Sequence, residues 1–127
     1  MRDDQVRRYA RHVQLPDIGG LGQTAIMVAS ARLPLRDAEP RAEVIAATFL
    51  VAGGVGSLAV PHATPEQRAE LAAHGPDTRV VDDGAGRDVP LEPRPSWWPS
   101  TDGDGEALAY WRGGLAAAKW LADAASR

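Results

Sequence analysis

Short apolar runs alternate with amphipathic segments through the middle of this chain, and glycine or proline stands at nearly every join. This rhythm constrains the fold more than any other feature. Thr24–Ser30 (TAIMVAS) is a short apolar run that reads as a buried strand. Residues 31–40 (ARLPLRDAEP) carry Pro34, Pro40 and alternating charge, and read as a loop. Arg41–Ala52 is helical in pattern: Val44, Ala47, Thr48 and Val51 share a face, Pro40 suits the first turn and Gly53-Gly54 supplies the stop. Val55–Val60 reads as a second strand, closed by Pro61. Thr64–His74 opens with Thr64 as cap, Pro65 at the first helical position and Gln67 at the third, and ends at Gly75. Thr78–Val81 reads as a third strand. The order β-α-β-α-β predicts parallel strands joined by helical crossovers. The expected class is α/β: a minimal Rossmann-like three-layer domain with a short parallel sheet and flanking helices.

Both flanks are helical in pattern. Asp4–Val13 presents Val6, Tyr9 and Val13 on one face, with Asp3 or Asp4 as cap and Arg7, Arg8 and Arg11 beside that face. Pro16 should end this helix, and Gly19, Gly20 and Gly22 should form a flexible turn. Residues 82–105 are polar and rich in Pro, Gly and Asp, too long for an ordinary connector. Trp97 and Trp98 lie inside this loop, either as anchors on the body or as an exposed partner-binding element. Gly105–Ser126 reads as a last helix, with Leu108, Trp111, Leu115, Ala118 and Ala122 as its seam and Leu121 beside it. Gly113-Gly114 in mid-helix costs roughly 1 kcal/mol per residue against alanine, which is tolerable where another backbone approaches closely. A chain of 127 residues is one domain by size. Its expected parts are a helix and turn (1–23), the core (24–81), the loop (82–105) and the last helix (106–127).

Composition removes several classes of function. There are no cysteines, so disulfides, thiolate zinc sites and thiol catalysis are excluded. A net charge of −3 argues against a nucleic-acid binder. No apolar run approaches the roughly 18–20 residues of a membrane span, and the charged start lacks the apolar core of a signal peptide. The cytoplasm is the expected location. His12, His62 and His74 are scattered and do not suggest a metal site. Asp102-Gly103-Asp104-Gly105-Glu106 fails the spacing of a calcium loop and reads as a turn capping the last helix. Gly53-Gly54-Val55-Gly56 follows a helix and precedes a strand, the reverse of a dinucleotide-binding context.

The start of the chain carries a more specific pattern. Arg8-Tyr9-Ala10-Arg11-His12-Val13-Gln14-Leu15-Pro16, followed by Ile18-Gly19-Gly20-Leu21-Gly22-Gln23, resembles the opening of the ThiF/MoeB/HesA family. These E1-like enzymes adenylate the C-terminus of ubiquitin-like sulfur carriers. Ala46–Val60 (AATFLVAGGVGSLAV) resembles the family's helix and Gly-Val-Gly turn before strand two, and the last helix resembles the family's final one. The resemblance touches about two-thirds of the chain. It implies a nucleotide-binding fold and a dimer.

The departures narrow this. The family's strand one leads into a glycine-rich phosphate loop, but Ala29–Leu35 holds no glycine, and Pro34 lacks an N–H. The ribose-binding acid expected after strand two is replaced by Pro61-His62. The later Lys and the magnesium-binding Asp have no counterpart. The expectation is therefore a non-catalytic, truncated E1-like protein that acts by association. It would be a homodimer, or the partner of a full-length adenylating enzyme, with a ubiquitin-like sulfur carrier as a further partner. No cofactor of its own is expected, and ATP would be met only through the partner. In homodimeric relatives the arginine matching Arg11 reaches the neighbouring subunit's nucleotide. Arg8 and Arg11 are thus the candidate contacts in trans, against the plainer reading of a solvated helix face. Tyr9, Trp97 and Trp98 are the candidate partner-binding residues. The alternative is a small-ligand or nucleotide-binding module using the C-terminal ends of the strands near Ser30, His62 and Asp82.

Overall fold

The computed structural model describes residues 1–14, 18–36, 40–99 and 105–127, apart from the side chains of Val13 and Pro40. Pro16 and residues 102–104, expected as part of a capping turn, lie outside the described residues. In order, the elements are α1 (Asp3–Arg8), α2 (Ala10–Gln14), α3 (Gly19–Val28), β1 (Ser30–Arg32), α4 (Pro40–Ala52), β2 (Ser57–Ala59), α5 (Pro65–His74), β3 (Arg79–Val81), β4 (Arg87–Asp88) and α6 (Glu106–Ala125). The strands form one all-parallel sheet in the order β3-β2-β1-β4. This is the expected small α/β class, a short parallel sheet with flanking helices. No helix among the described residues is long and apolar enough to cross a membrane.

The capping chemistry forms as the local sequence dictates. The Gln67 N–H donates to Thr64 Oγ1 at 3.1 Å and the Thr64 N–H donates to Gln67 Oε1 at 2.9 Å, a reciprocal box at the start of α5. Gly54 takes φ +87°, the left-handed conformation that stops α4.

Several expectations are corrected. Thr24–Ser30 is not a strand and Gly19–Gly22 is not a flexible turn: α3 spans both, and β1 begins only at Ser30. Short apolar runs do not distinguish strand from helix. Here Gly22, Gln23 and Ile26 recur at helical spacing and are the buried side of α3. The single helix over Asp4–Val13 is two helices, broken at Tyr9 (φ −105°, ψ 23°). Its first turn is closed by Gln5 Oε1, which accepts the Arg2 N–H at 3.0 Å, rather than by Asp3 or Asp4. The 82–105 loop contains β4, which the composition hides. The seam of α6 is also rotated. Leu108, Ala109, Gly113, Ala116, Ala117, Trp120, Leu121 and Ala124 are buried, while Ala118 and Ala122 are exposed.

Strand register explains which side of the sheet is packed. Ala31, Leu58 and Val80 are aligned partners, and Ala31 and Leu58 are completely buried in the core with Ala46, Ala47 and Leu50 of α4. Their chain neighbours point the other way. Ser30, Ser57 and Arg79 form a polar row on that second side, where the Ser57 hydroxyl donates to Ser30 Oγ at 2.8 Å. The 82–86 connection crosses this side: a Cβ on Gly84 would lie 3.9 Å from Ala59 Cβ.

Gly113 fixes how α6 meets α4. A Cβ there would lie 2.4 Å from the Ala42 carbonyl oxygen and 3.0 Å from the Ala46 nitrogen. At Gly114 the nearest atom would be Phe49 Cε2 at 3.5 Å, an ordinary contact. The two adjacent glycines should therefore respond in opposite ways. In urea denaturation, Gly113→Ala is expected to lose about 2–3 kcal/mol through backbone overpacking, and Gly114→Ala to be neutral or to gain up to about 1 kcal/mol of helix propensity. Equal responses would remove the close approach as the reason for Gly113.

Candidate functional site

The N-terminal segment is held by one carboxylate. Asp77, in the turn between α5 and β3, accepts from Tyr9 Oη at 2.7 Å, from Arg2 Nη2 at 3.2 Å and from Gln5 Nε2 at 3.3 Å, and it pairs with Arg8 Nη1. Gln5, Arg8 and Tyr9 reach it together because positions three and four apart share a helix face. The break at Tyr9 lets the ring turn inward over Gly54, where a Cβ would lie 2.6 Å from Tyr9 Cζ. Tyr9 is only 3% exposed. It holds the N-terminal helices to the body and leaves little surface for the partner-binding role expected of it.

These contacts set the protonation of the cluster. Burial pushes the Tyr9 phenol up to about 12, and its hydrogen bond to Asp77 and that residue's charge add to the effect. Burial alone would raise the Asp77 carboxyl, but the hydrogen bonds from Tyr9 and Gln5 and the charge of Arg8 outweigh it and hold it below the ordinary value. Burial opposes the charge on Arg8, yet its bonds to Tyr9 and Asp77 win and raise it further.

A second polar link lies beneath. Gln23 is fully buried; its Nε2 donates to the Gly53 carbonyl at 2.9 Å and its Oε1 faces His12 Nδ1 at 2.7 Å. The amide's orientation assigns the hydrogen to Nδ1 of His12. α2, α3 and the end of α4 are thereby tied together.

On the outside of this framework is a cleft of about 370 Å³ lined by Arg7, Arg8, Arg11, His12 and Ala52. Arg8 and Arg11, expected together from sequence, do line one site. Arg8 is braced from behind by Asp77. Arg7 and Arg11 are exposed, with no ion-pair or hydrogen-bond partner among the described residues. Two outward guanidiniums, Arg7 and Arg11, beside the paired Arg8, with no carboxylate among the described lining residues, suit an anion such as a phosphate group.

The remaining candidates lie elsewhere. Trp97 is 69% exposed and packs edge-on to Trp111 of α6 with centroids 6.0 Å apart, while Trp98 lies 6.3 Å from the same ring. The pair anchors the loop and leaves one indole outward. Ser30 opens β1, so it is not at a strand's C-terminal end. His62 (φ +71°) and Asp82 follow β2 and β3 but are exposed and line no cavity described. A cavity does occur at the C-terminal ends of β1 and β4, lined by Arg32, Arg36, Glu43 and Asp88. Sequence reasoning missed it because β1 was placed six residues too early and β4 was unseen. Asp77 and Gln23 were missed as well. A lone Asp in a turn and a lone Gln in an apolar run carry no local signal of long-range bonding.

Asp77→Asn should cost about 1–3 kcal/mol at pH 7, because Arg8 and Tyr9 lose a charged acceptor. The pH window follows from the shifts. The raised phenol contributes fully below its ordinary 10.0, and that contribution disappears as pH rises toward about 12. The lowered carboxyl contributes above its ordinary 3.8, and that contribution disappears as pH falls through the lower folded value. Tyr9→Phe should remove an absorbance step near pH 12, and Asp77→Asn should flatten the acid limb of stability. No family model matches the chain, and no curated protein matches it.

Proposed function

We propose that this chain is a non-catalytic, E1-like module of the cytoplasm that acts by protein association, offering Arg11 to the phosphates of a nucleotide held by its partner. The observation that carries this reading is the arginine cleft. Among the described residues Arg11 and Arg7 stand unpaired, and both are exposed beside Arg8, whose position Asp77 fixes. A guanidinium with no internal partner, on a braced helix pair, is preorganised for an external anion. A trans-acting arginine adds charge stabilisation exactly where a transferring phosphoryl develops it, without requiring the donor chain to bind nucleotide alone.

The start of α4 favours the same division of labour. Leu33 and Leu35 after β1 are buried, and the Arg36 N–H is taken by Glu43 Oε1 at 3.0 Å. The chain's own carboxylate thus sits where a phosphate would need backbone donors. The partner is a second copy of the chain or a full-length adenylating enzyme, with a ubiquitin-like sulfur carrier as the substrate of the assembly. Trp97 is an exposed aromatic available to such an interface. A second reading, small-ligand binding at the strand ends, is favoured by the cavity beside β1 and β4.

The test is co-purification with an adenylating enzyme, followed by ATP–pyrophosphate exchange. Arg11→Ala should lower exchange by the complex by at least about tenfold with co-purification intact. Complex formation with unchanged exchange would eliminate the arginine role. Failure to associate with itself or with any such enzyme would eliminate the function.

A further inference from the structure

The cavity at the C-terminal ends of β1 and β4 has a volume of about 390 Å³. It lies at the far end of α4 from the arginine cleft, because Glu43 lines one and Ala52 the other. Nine residues of helix separate them by about 14 Å. The position has a topological reason. From β1 the chain moves outward through β2 and β3, then returns to place β4 on the other side of β1. The connections leaving β1 and β4 therefore diverge and open a crevice above the strand ends.

Its walls combine apolar surface with two charges that form no ion pair among the described residues. Leu33 and Val89 are buried at its base, and Pro34 and Pro90 stiffen the two outgoing segments. Arg36 and Asp88 both line the cavity and both are exposed. Neither side chain has an ion-pair or hydrogen-bond partner among the described residues, and they do not pair with each other. The other two charged residues are engaged: Glu43 accepts the Arg36 N–H at 3.0 Å, and Arg32 Nε faces Asp83 Oδ1 at 3.6 Å. Opposite charges that share a cavity without meeting are complementary to a ligand that carries both.

From this juxtaposition we infer that the cavity binds a small zwitterion, an apolar α-amino acid. Arg36 receives its carboxylate, Asp88 its ammonium group, and Leu33, Val89 and Leu91 its side chain. This rests on the ligand-binding reading of the strand ends and is independent of the arginine cleft. A guanidinium matches a carboxylate in planar two-point geometry, and a carboxylate accepts from an ammonium. A simple acid would leave Asp88 without a partner in the ligand, and a simple amine would do the same to Arg36.

Calorimetry and NMR titration of the whole chain use L-leucine as the probe. 4-Methylpentanoate lacks its amine, 3-methylbutylamine lacks its carboxylate, and AMP represents nucleotides. L-Leucine is expected to bind at least about tenfold more tightly than either half-molecule, with shifts at residues 32–36 and 87–91. Asp88→Asn should lower leucine affinity about tenfold while leaving 4-methylpentanoate unchanged or improved. Arg36→Gln should lower affinity for leucine and for the acid together. Both positions are exposed, so the variants are expected to fold as the parent does. Binding of AMP or of one half-molecule in preference to leucine would keep a ligand site and overturn the amino-acid assignment. No binding of any of the four would overturn both the assignment and the ligand reading. Unchanged leucine affinity in both variants would overturn the roles of Arg36 and Asp88.

Discussion

The close contact between α4 and α6 at Gly113 is the constraint on which the remaining packing depends. Without a Cβ, Gly113 admits the Ala42 carbonyl and the Ala46 nitrogen of the facing helix. This sets the rotation of α6, and three further contacts follow along its length. Leu121 reaches Gly53 at the end of α4, and Ala125 reaches Gly22 of α3. Trp120 lies under the Arg87 guanidinium, 4.4 Å from ring centroid to Cζ, and Arg87 also bonds Asp123 at 2.6 Å. One helix therefore positions β4, α3 and the end of α4 together. A four-stranded sheet with strands of two or three residues has little ladder to hold it, so this helical layer supplies much of its order.

The N-terminal helices depend on a different kind of interaction. α1 has no buried residue, so apolar packing cannot hold it. Asp77 holds it instead, by gathering Arg2, Gln5, Arg8 and Tyr9 around one side chain. Such an arrangement is directional, and direction is what an arginine cleft needs. Arg8 is turned inward to Asp77, which leaves Arg7 and Arg11 as the outward charges. The two cavities then lie at opposite ends of α4, one with arginines as the charged residues of its described lining and the other with charges of both signs.

Parts of this arrangement were legible in the residues. Thr64, Pro65 and Gln67 announce the start of α5, because capping is a local reaction among neighbours. Gly53-Gly54 announces the end of α4 for the same reason. The cost of Gly113-Gly114 signalled that a backbone must approach α6. Which of the two glycines receives it was not legible, because the answer belongs to α4. Of the site, Arg8 and Arg11 were singled out by the resemblance of the opening segment, but their shared cleft was not legible, because the helix break at Tyr9 lies between them. The burial of Tyr9 was not legible either, since the partner that draws it inward is 68 positions away.

The sequence by itself determined the alternation of helices and strands, the parallel order that it imposes, and the absence of glycine from Ala29–Leu35. These are properties of short windows, governed by backbone conformation and by hydrogen bonds between near neighbours. The tertiary structure alone decided that Thr24–Val28 is helix, that β4 closes the sheet, and which arginines face outward. In α3 the buried Gln23 must reach both His12 and Gly53. In β4 the Val89 N–H must find the Arg32 carbonyl, at 3.2 Å. Each of those outcomes turns on a buried polar group finding a partner far away in the chain, and a buried group left without one would cost more than local propensity can return.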